Sequence, residues 1–151
     1  MNNLTTAQHQ ADKASNKAGL KLTPKRRNVF SLLLASKTPL SAYELADQFK
    51  TEFGQSIPTM SIYRMLDFLT DNNLAHKLTS ENKFISCAHS TCDHSHQIPQ
   101  FLICESCHQV KEIGIQKEIF DALKESVEQA DYCLQDAQIE LKCLCASCAK
   151  V

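Results

Sequence analysis

No stretch of this chain approaches the 18 or more consecutive apolar residues of a membrane span. The first residues, MNNLTTAQHQADKASNKAG, lack the basic and then apolar regions of a secretory signal. A cytoplasmic protein is expected. Tryptophan is absent and glycine occurs only 3 times, and no phosphate-cradling loop, HExxH helix or nucleophile elbow occurs. An enzyme is therefore not expected, and no organic cofactor. Net charge is nearly absent too, at -1, but the chain is not uniform. Residues 1–83 carry 11 Lys+Arg against 7 Asp+Glu, and residues 84–151 carry 5 against 10. A basic first half suits a polyanion partner, and an acidic second half suits cation binding or self-association.

What the chain does have is 8 cysteines in 151 residues. In a reducing compartment they argue for metal ligation rather than disulfides. Two small domains, each short of buried surface, would also profit from a metal staple. Cys104 and Cys107 in ICESC, and Cys145 and Cys148 in LCASC, form two CxxC knuckles. Each knuckle aims two thiolates at one ion, and together they fill the four tetrahedral positions of structural zinc. Such a closed site has no position left to activate water. Cys143 offers another first ligand, but its spacing to Cys148 is wrong for a tight knuckle, which favours Cys145. A thioredoxin-like redox pair is disfavoured because the motif is doubled. Cys133, alone beside Tyr132 and Leu134, reads as a small buried hydrophobe.

The basic half reads as consecutive helices. Residues 1–18 are polar and Ala-rich and suggest a loose helix ended by Gly19. Thr23 is an N-cap with Pro24 in the first turn, followed by Val29, Phe30, Leu33 and Leu34. Ser41 and Glu44 form a capping box, and Gly54 supplies the stop. A helix over 59–72 turns Ile62, Met65, Leu66 and Leu69 inward and Arg64 outward, leaving Ser61 and Tyr63 exposed near its start. LAHKL and KFISC then flank TSEN as a hairpin. Helix-turn-helix plus hairpin predicts a winged helix whose second helix enters the major groove. In the second half QVKEIG suggests a strand, and IQKEIFDALKESVEQA an amphipathic helix through Ile115, Ile119, Phe120, Leu123 and Val127. QDAQIELK resumes strand alternation. The predicted class is α+β: a winged helix-turn-helix domain over 1–83, a linker over 84–98, and a small α/β domain over 99–151 with the four-cysteine structural zinc site.

These motifs, LTPKRRNVF, SAYELADQF, MSIYRMLDFL and ICESCHQVKEI with the final CxxC, resemble the Fur family of metalloregulators over nearly the whole chain, most closely its zinc-uptake branch. MSIYR departs conservatively from the family's TVYR, with Ser61 for Thr and Ile62 for Val. The resemblance implies a zinc-responsive repressor of zinc-uptake genes. It would bind a palindromic operator as a metal-loaded homodimer, with 99–151 as its dimerisation domain. It implies DNA contacts at Tyr43, Ser61, Tyr63 and Arg64, with Lys25 and Arg26 on phosphates. It also implies a regulatory ion at the hinge, held by His76, Cys87, a histidine before FLIC and Glu112, hence two zinc ions per protomer. Spacing favours His96 over His94 for that histidine, with Pro99 absorbing one extra loop residue. Cys92, with His89 and Asp93, is either a further weaker site or plain loop. Cys87 favours zinc, since iron(II) and manganese(II) sensors are better served by oxygen and imidazole. The alternatives are a relative responding to iron, manganese or peroxide, and, more distantly, a zinc-stapled adaptor that binds only protein.

Overall fold

The computed structural model describes residues 3–87, 99–135 and 138–150, in two compact units, Met1–Asp93 and His94–Val151. The first unit begins with α1 (Asn3–Lys17), α2 (Pro24–Ala35), α3 (Ala42–Phe53) and α4 (Thr59–Asp71). A hairpin of β1 (Ala75–Leu78) and β2 (Lys83–Ser86) follows.

α1 differs from the loose helix expected of so polar a sequence. Ala7, Ala11 and Ala14 recur at i, i+4 and i+7, and all are buried because small side chains let α1 lie close to α2. Asp12 fixes the contact, accepting from Arg27 Nε at 2.7 Å and from its terminal nitrogen at 2.9 Å. That hydrogen bond to Arg27 holds the Asp12 carboxyl below the ordinary carboxylate range. A carboxylate with a depressed folded pKa stabilises above its unfolded value and loses that contribution as pH falls through the folded one. Both partners are over a third exposed, so screening keeps the pair below about 1 kcal/mol. Asp12→Asn should therefore lower the melting temperature slightly at pH 7 and not at pH 2.5. An equal loss at both values would assign the effect to packing.

The sequence punctuates the other helices. Thr23 Oγ1 accepts from Arg26 N–H at 3.3 Å as the α2 cap. At α3, Ser41 and Glu44 close the capping box at 3.1 and 3.2 Å, and Gly54, at φ 66°, ends the helix in a left-handed conformation that suits glycine. Ile62, Leu66 and Leu69 of α4 are fully buried with Val29, Phe30, Leu45 and Phe49. Met65 packs half-buried against that core, and so does Tyr63, which the helical pattern alone leaves exposed. Tyr63 follows Ile62 by only about 100° of helix, too little to clear the core. The hairpin pairs His76 with Ile85, and β2 runs on to Ser86, three residues into the stretch read as linker. On the other edge of β2, Leu40 adds a single bridge by exchanging two backbone hydrogen bonds with Phe84, at 2.9 and 2.8 Å. Lys83 also reaches Glu44 of α3 at 3.2 Å, so the wing is tied to the helices at two points.

The second unit has a three-stranded sheet in the order β4-β3-β5, built from β3 (Pro99–Cys104), β4 (Val110–Gly114) and β5 (Ile139–Cys143), with β3 antiparallel to β4 and parallel to β5. Helix α5 (Lys117–Gln129) lies between β4 and β5 in sequence, and a single turn, α6 (Ala146–Ala149), follows. The α5 periodicity promises a buried face, yet no residue of α5 is buried; Ile119 is 54% and Leu123 38% exposed. No helix among the described residues is long and apolar enough to cross a membrane.

Candidate metal centre and nucleic-acid interface

The parallel pairing of β3 with β5 explains how the two CxxC knuckles meet. Cys104 stands opposite Cys143, so both strands finish at the same end of the sheet. Glu105 N–H donates to the Cys143 carbonyl at 2.9 Å and locks that register. The first knuckle turns back into β4 through His108, which takes a left-handed backbone at φ 64°, while Cys104 N–H donates to the Gln109 carbonyl at 3.0 Å. The second knuckle starts at Cys145, which precedes α6.

The four sulfurs of Cys104, Cys107, Cys145 and Cys148 all lie within 4.8 Å of one another. Zinc–sulfur bonds of about 2.3 Å at tetrahedral angles would separate ligand sulfurs by about 3.8 Å. Cys107 Sγ and Cys145 Sγ are 3.8 Å apart, so the donor set fits a tetrahedral soft cation. The electrostatics agree. N–H groups of Cys107 and Cys145, the latter 3.4 Å from the sulfur, pull Cys104 down to about 6 and favour its thiolate. Cys148 feels the Ser106 hydroxyl, which favours its thiolate, but the sulfurs of Cys145, Cys104 and Cys107 outweigh it and push Cys148 up to about 12. The four sulfurs so close together can all ionise only with a cation among them. Cys143 lies beside this group but outside the four, its Sγ 3.7 Å from the Leu141 carbonyl oxygen.

A second pair of metal-type ligands lies in the first unit. His76 is on β1 opposite Ile85, and Cys87 follows β2 two residues later, so the two share a face of the hairpin. Their ligand atoms are within 4.8 Å. Cys87 is 2% exposed, and its N–H donates to the Leu74 carbonyl at 2.9 Å, extending the hairpin by one rung. In the other unit Glu112 sits in β4 opposite the buried Phe101 of β3 and is half-buried. His96, His94 and Cys92, with His89 and Asp93, lie outside the described residues.

Basic residues gather where the start of α2 meets α4. Lys25, Arg26, Ser61 and Arg64 line one cavity of about 510 Å³ between the start of α2 and α4, together with Thr23, Pro24 and Met65. The structure thus brings together four of the six residues read as DNA contacts. Arg26 does not swing freely there. Its guanidinium carbon is 4.0 Å from the centre of the Phe68 ring, a cation–π contact that holds it at the cavity wall. Tyr43, 67% exposed on the first turn of α3, is not among the cavity residues. Sequence reasoning passed over Met60, 67% exposed on the first turn of α4, because methionine usually signals core. Its four-residue spacing to Arg64 was the available clue.

The fold and these side chains define a winged-helix protein whose separate α/β unit brings together four cysteines that could hold a metal ion. The sequence matches the Ferric uptake regulator family over residues 17–142, and the chain belongs to that family, whose members are transcription regulators and not enzymes. It is 32% identical over 142 residues to the zinc uptake regulation protein of Escherichia coli strain K12, covering 94% of this chain and 81% of that protein. Among solved structures, a zinc uptake regulator complexed with zinc and DNA superimposes with a TM-score of 0.79 at 27% identity, over 99% of this chain and 97% of the other. Holo XcZur superimposes at 0.77 with 31% identity, over 98% and 99% of the two chains.

Proposed function

We propose that the protein is a zinc-responsive repressor of zinc-uptake genes, binding a palindromic operator as a metal-loaded homodimer in the cytoplasm. The observation that carries this reading is the pairing of two features in a chain resembling zinc uptake regulators. One is the basic cavity at the recognition helix, and the other is the thiolate-bearing ligand set. In this reading residues 1–83 bind DNA, 84–98 link, and 99–151 dimerise. The uncovered apolar side chains Ile119 and Leu123 of α5, with Leu141 and Leu144, supply apolar surface for a second copy.

Each protomer would hold two zinc ions. Cys104, Cys107, Cys145 and Cys148 hold the structural one, whose closed coordination leaves it no regulatory freedom. His76 and Cys87 from the first unit, with Glu112 and His96 from the second, hold the regulatory one, with His94 and Cys92 as substitute ligands. An ion liganded from both units favours one arrangement of them, and only to the extent that it binds that arrangement better does it raise DNA affinity. A thiolate in this set favours zinc over iron(II) or manganese(II).

The test is DNA binding under metal-buffered conditions with zinc, iron(II) and manganese(II) in turn. Binding raised by zinc supports the reading. Binding raised only by iron or manganese would place the protein in another branch of the family. A salt-dependent shift of a palindromic duplex rules out a purely protein-binding adaptor, because counterion release marks phosphate contact. Arg64 is exposed on α4, and in this reading its guanidinium donates two bonds to a guanine edge. Arg64→Ala should cost about 1–3 kcal/mol and relax one operator position. Equal weakening on every sequence would make Arg64 a phosphate contact.

A further inference from the structure

Helix α4 presents a continuous exposed stripe of Met60, Arg64, Asp67 and Asp71, at i, i+4, i+7 and i+11, opposite the buried Ile62, Leu66 and Leu69. At about 100° per residue, Arg64 and Asp67 stand within about 40° of Met60, whereas Ser61 and Tyr63 lie about 100° and 60° to either side. Met60 and Arg64 therefore address the same surface. Met60 is the one apolar side chain on this stripe, and it holds the N-terminal end, from which a recognition helix reaches base edges. A single exposed apolar residue is ordinary on a protein surface. One aligned with a base-reading arginine at the entering end of the helix has a specific chemical complement. The only apolar group that B-DNA offers in the major groove is the thymine 5-methyl. Methionine, unbranched and polarisable, can seat against it without demanding one geometry.

We propose that Met60 is a specificity-determining residue that reads a thymine by packing on its methyl group. This rests on the DNA-binding reading above. Four residues of helix advance about 6 Å, or about two base-pair steps, so the thymine lies about two base pairs from the position that Arg64 reads.

The test begins by selecting an operator from a random duplex library with the full-length, zinc-loaded protein. Each thymine is then replaced in turn by deoxyuridine, which deletes the methyl and keeps the hydrogen-bonding edge. The wild type should lose affinity by about 4-fold at a thymine near the position that Arg64→Ala relaxes, the worth of one buried methyl-sized group. Met60→Ala should bind the thymine and deoxyuridine operators equally at that position while keeping its salt slope and its response at other thymines. Met60→Leu should retain the discrimination. A Met60→Ala protein that keeps the wild-type penalty, or a wild type with none near the Arg64 position, would overturn the proposal alone. No binding to any duplex under zinc, iron(II) or manganese(II) would overturn the DNA-binding reading, and the role of Met60 with it.

Discussion

Cys104→Ser or Cys148→Ser should abolish tight zinc retention and unfold the second unit, read as a zinc-to-protein ratio lower by one per protomer, loss of sheet signal and loss of dimer on gel filtration. The magnitude follows from how little else holds the unit together. Its fully buried apolar side chains among the described residues are few, Phe101, Ile103 and Ile115 with Cys104 itself, and no residue of α5 is more than half-buried. A domain this small rarely closes its own stability balance. Structural zinc sites contribute about 10–16 kcal/mol of apparent binding free energy at neutral pH, far more than such a core supplies. Serine keeps the size and removes the thiolate, so the loss reports ligation rather than a cavity. Cys143→Ser is the matched control, paired opposite Cys104 and two residues before Cys145, yet outside the group of four. It should retain zinc and dimer. Loss from Cys143→Ser with retention in Cys145→Ser would exchange the ligand assignment.

The same residues show where a sequence is legible. The four-cysteine centre was readable because CxxC is a local motif whose chemistry requires a partner, and only one other CxxC exists in the chain. What remained hidden was the device that joins them, the parallel register of Cys104 against Cys143, since strand pairing between distant segments leaves no local signature. The rung between Leu40 and Phe84 was hidden for the same reason. α1 was under-read because its polar composition masked a stripe of three alanines, which bury through closeness of approach rather than hydrophobic bulk. α5 poses the opposite difficulty. Its amphipathic period is plain, but periodicity states that a face wants covering, not whether the cover comes from the same chain. In α4 the helical pattern sorted Ile62, Leu66 and Leu69 inward and Arg64 outward, but it left Met60 unread and put Tyr63 outward. One is an exposed methionine, the other a half-buried tyrosine.

Cys87→Ser should leave a folded protein that no longer responds to zinc. Cys87 is buried at the end of the wing, where its backbone N–H, not its sulfur, completes the hairpin rung to Leu74. Serine preserves that rung and the approximate volume, so the melting temperature and the zinc held by the four-cysteine centre should stay near wild type. What disappears is the soft ligand beside His76. A hydroxyl does not replace a thiolate toward zinc, and the remaining His and Glu ligands no longer discriminate it from harder cations. The variant should carry one zinc fewer per protomer and, at buffered zinc, bind operator about 5–150-fold more weakly, the usual span of one allosteric coupling. By reciprocity, operator DNA should raise the zinc affinity of the wild type by the same factor, and of the Cys87→Ser protein not at all. That second measurement separates a sensor ligand from a residue that merely steadies the wing, because a destabilised wing would weaken DNA binding at every zinc concentration alike. His76→Ala should behave in the same way. A Cys87→Ser protein with full zinc-dependent binding and unchanged zinc content would move the regulatory site away from the wing.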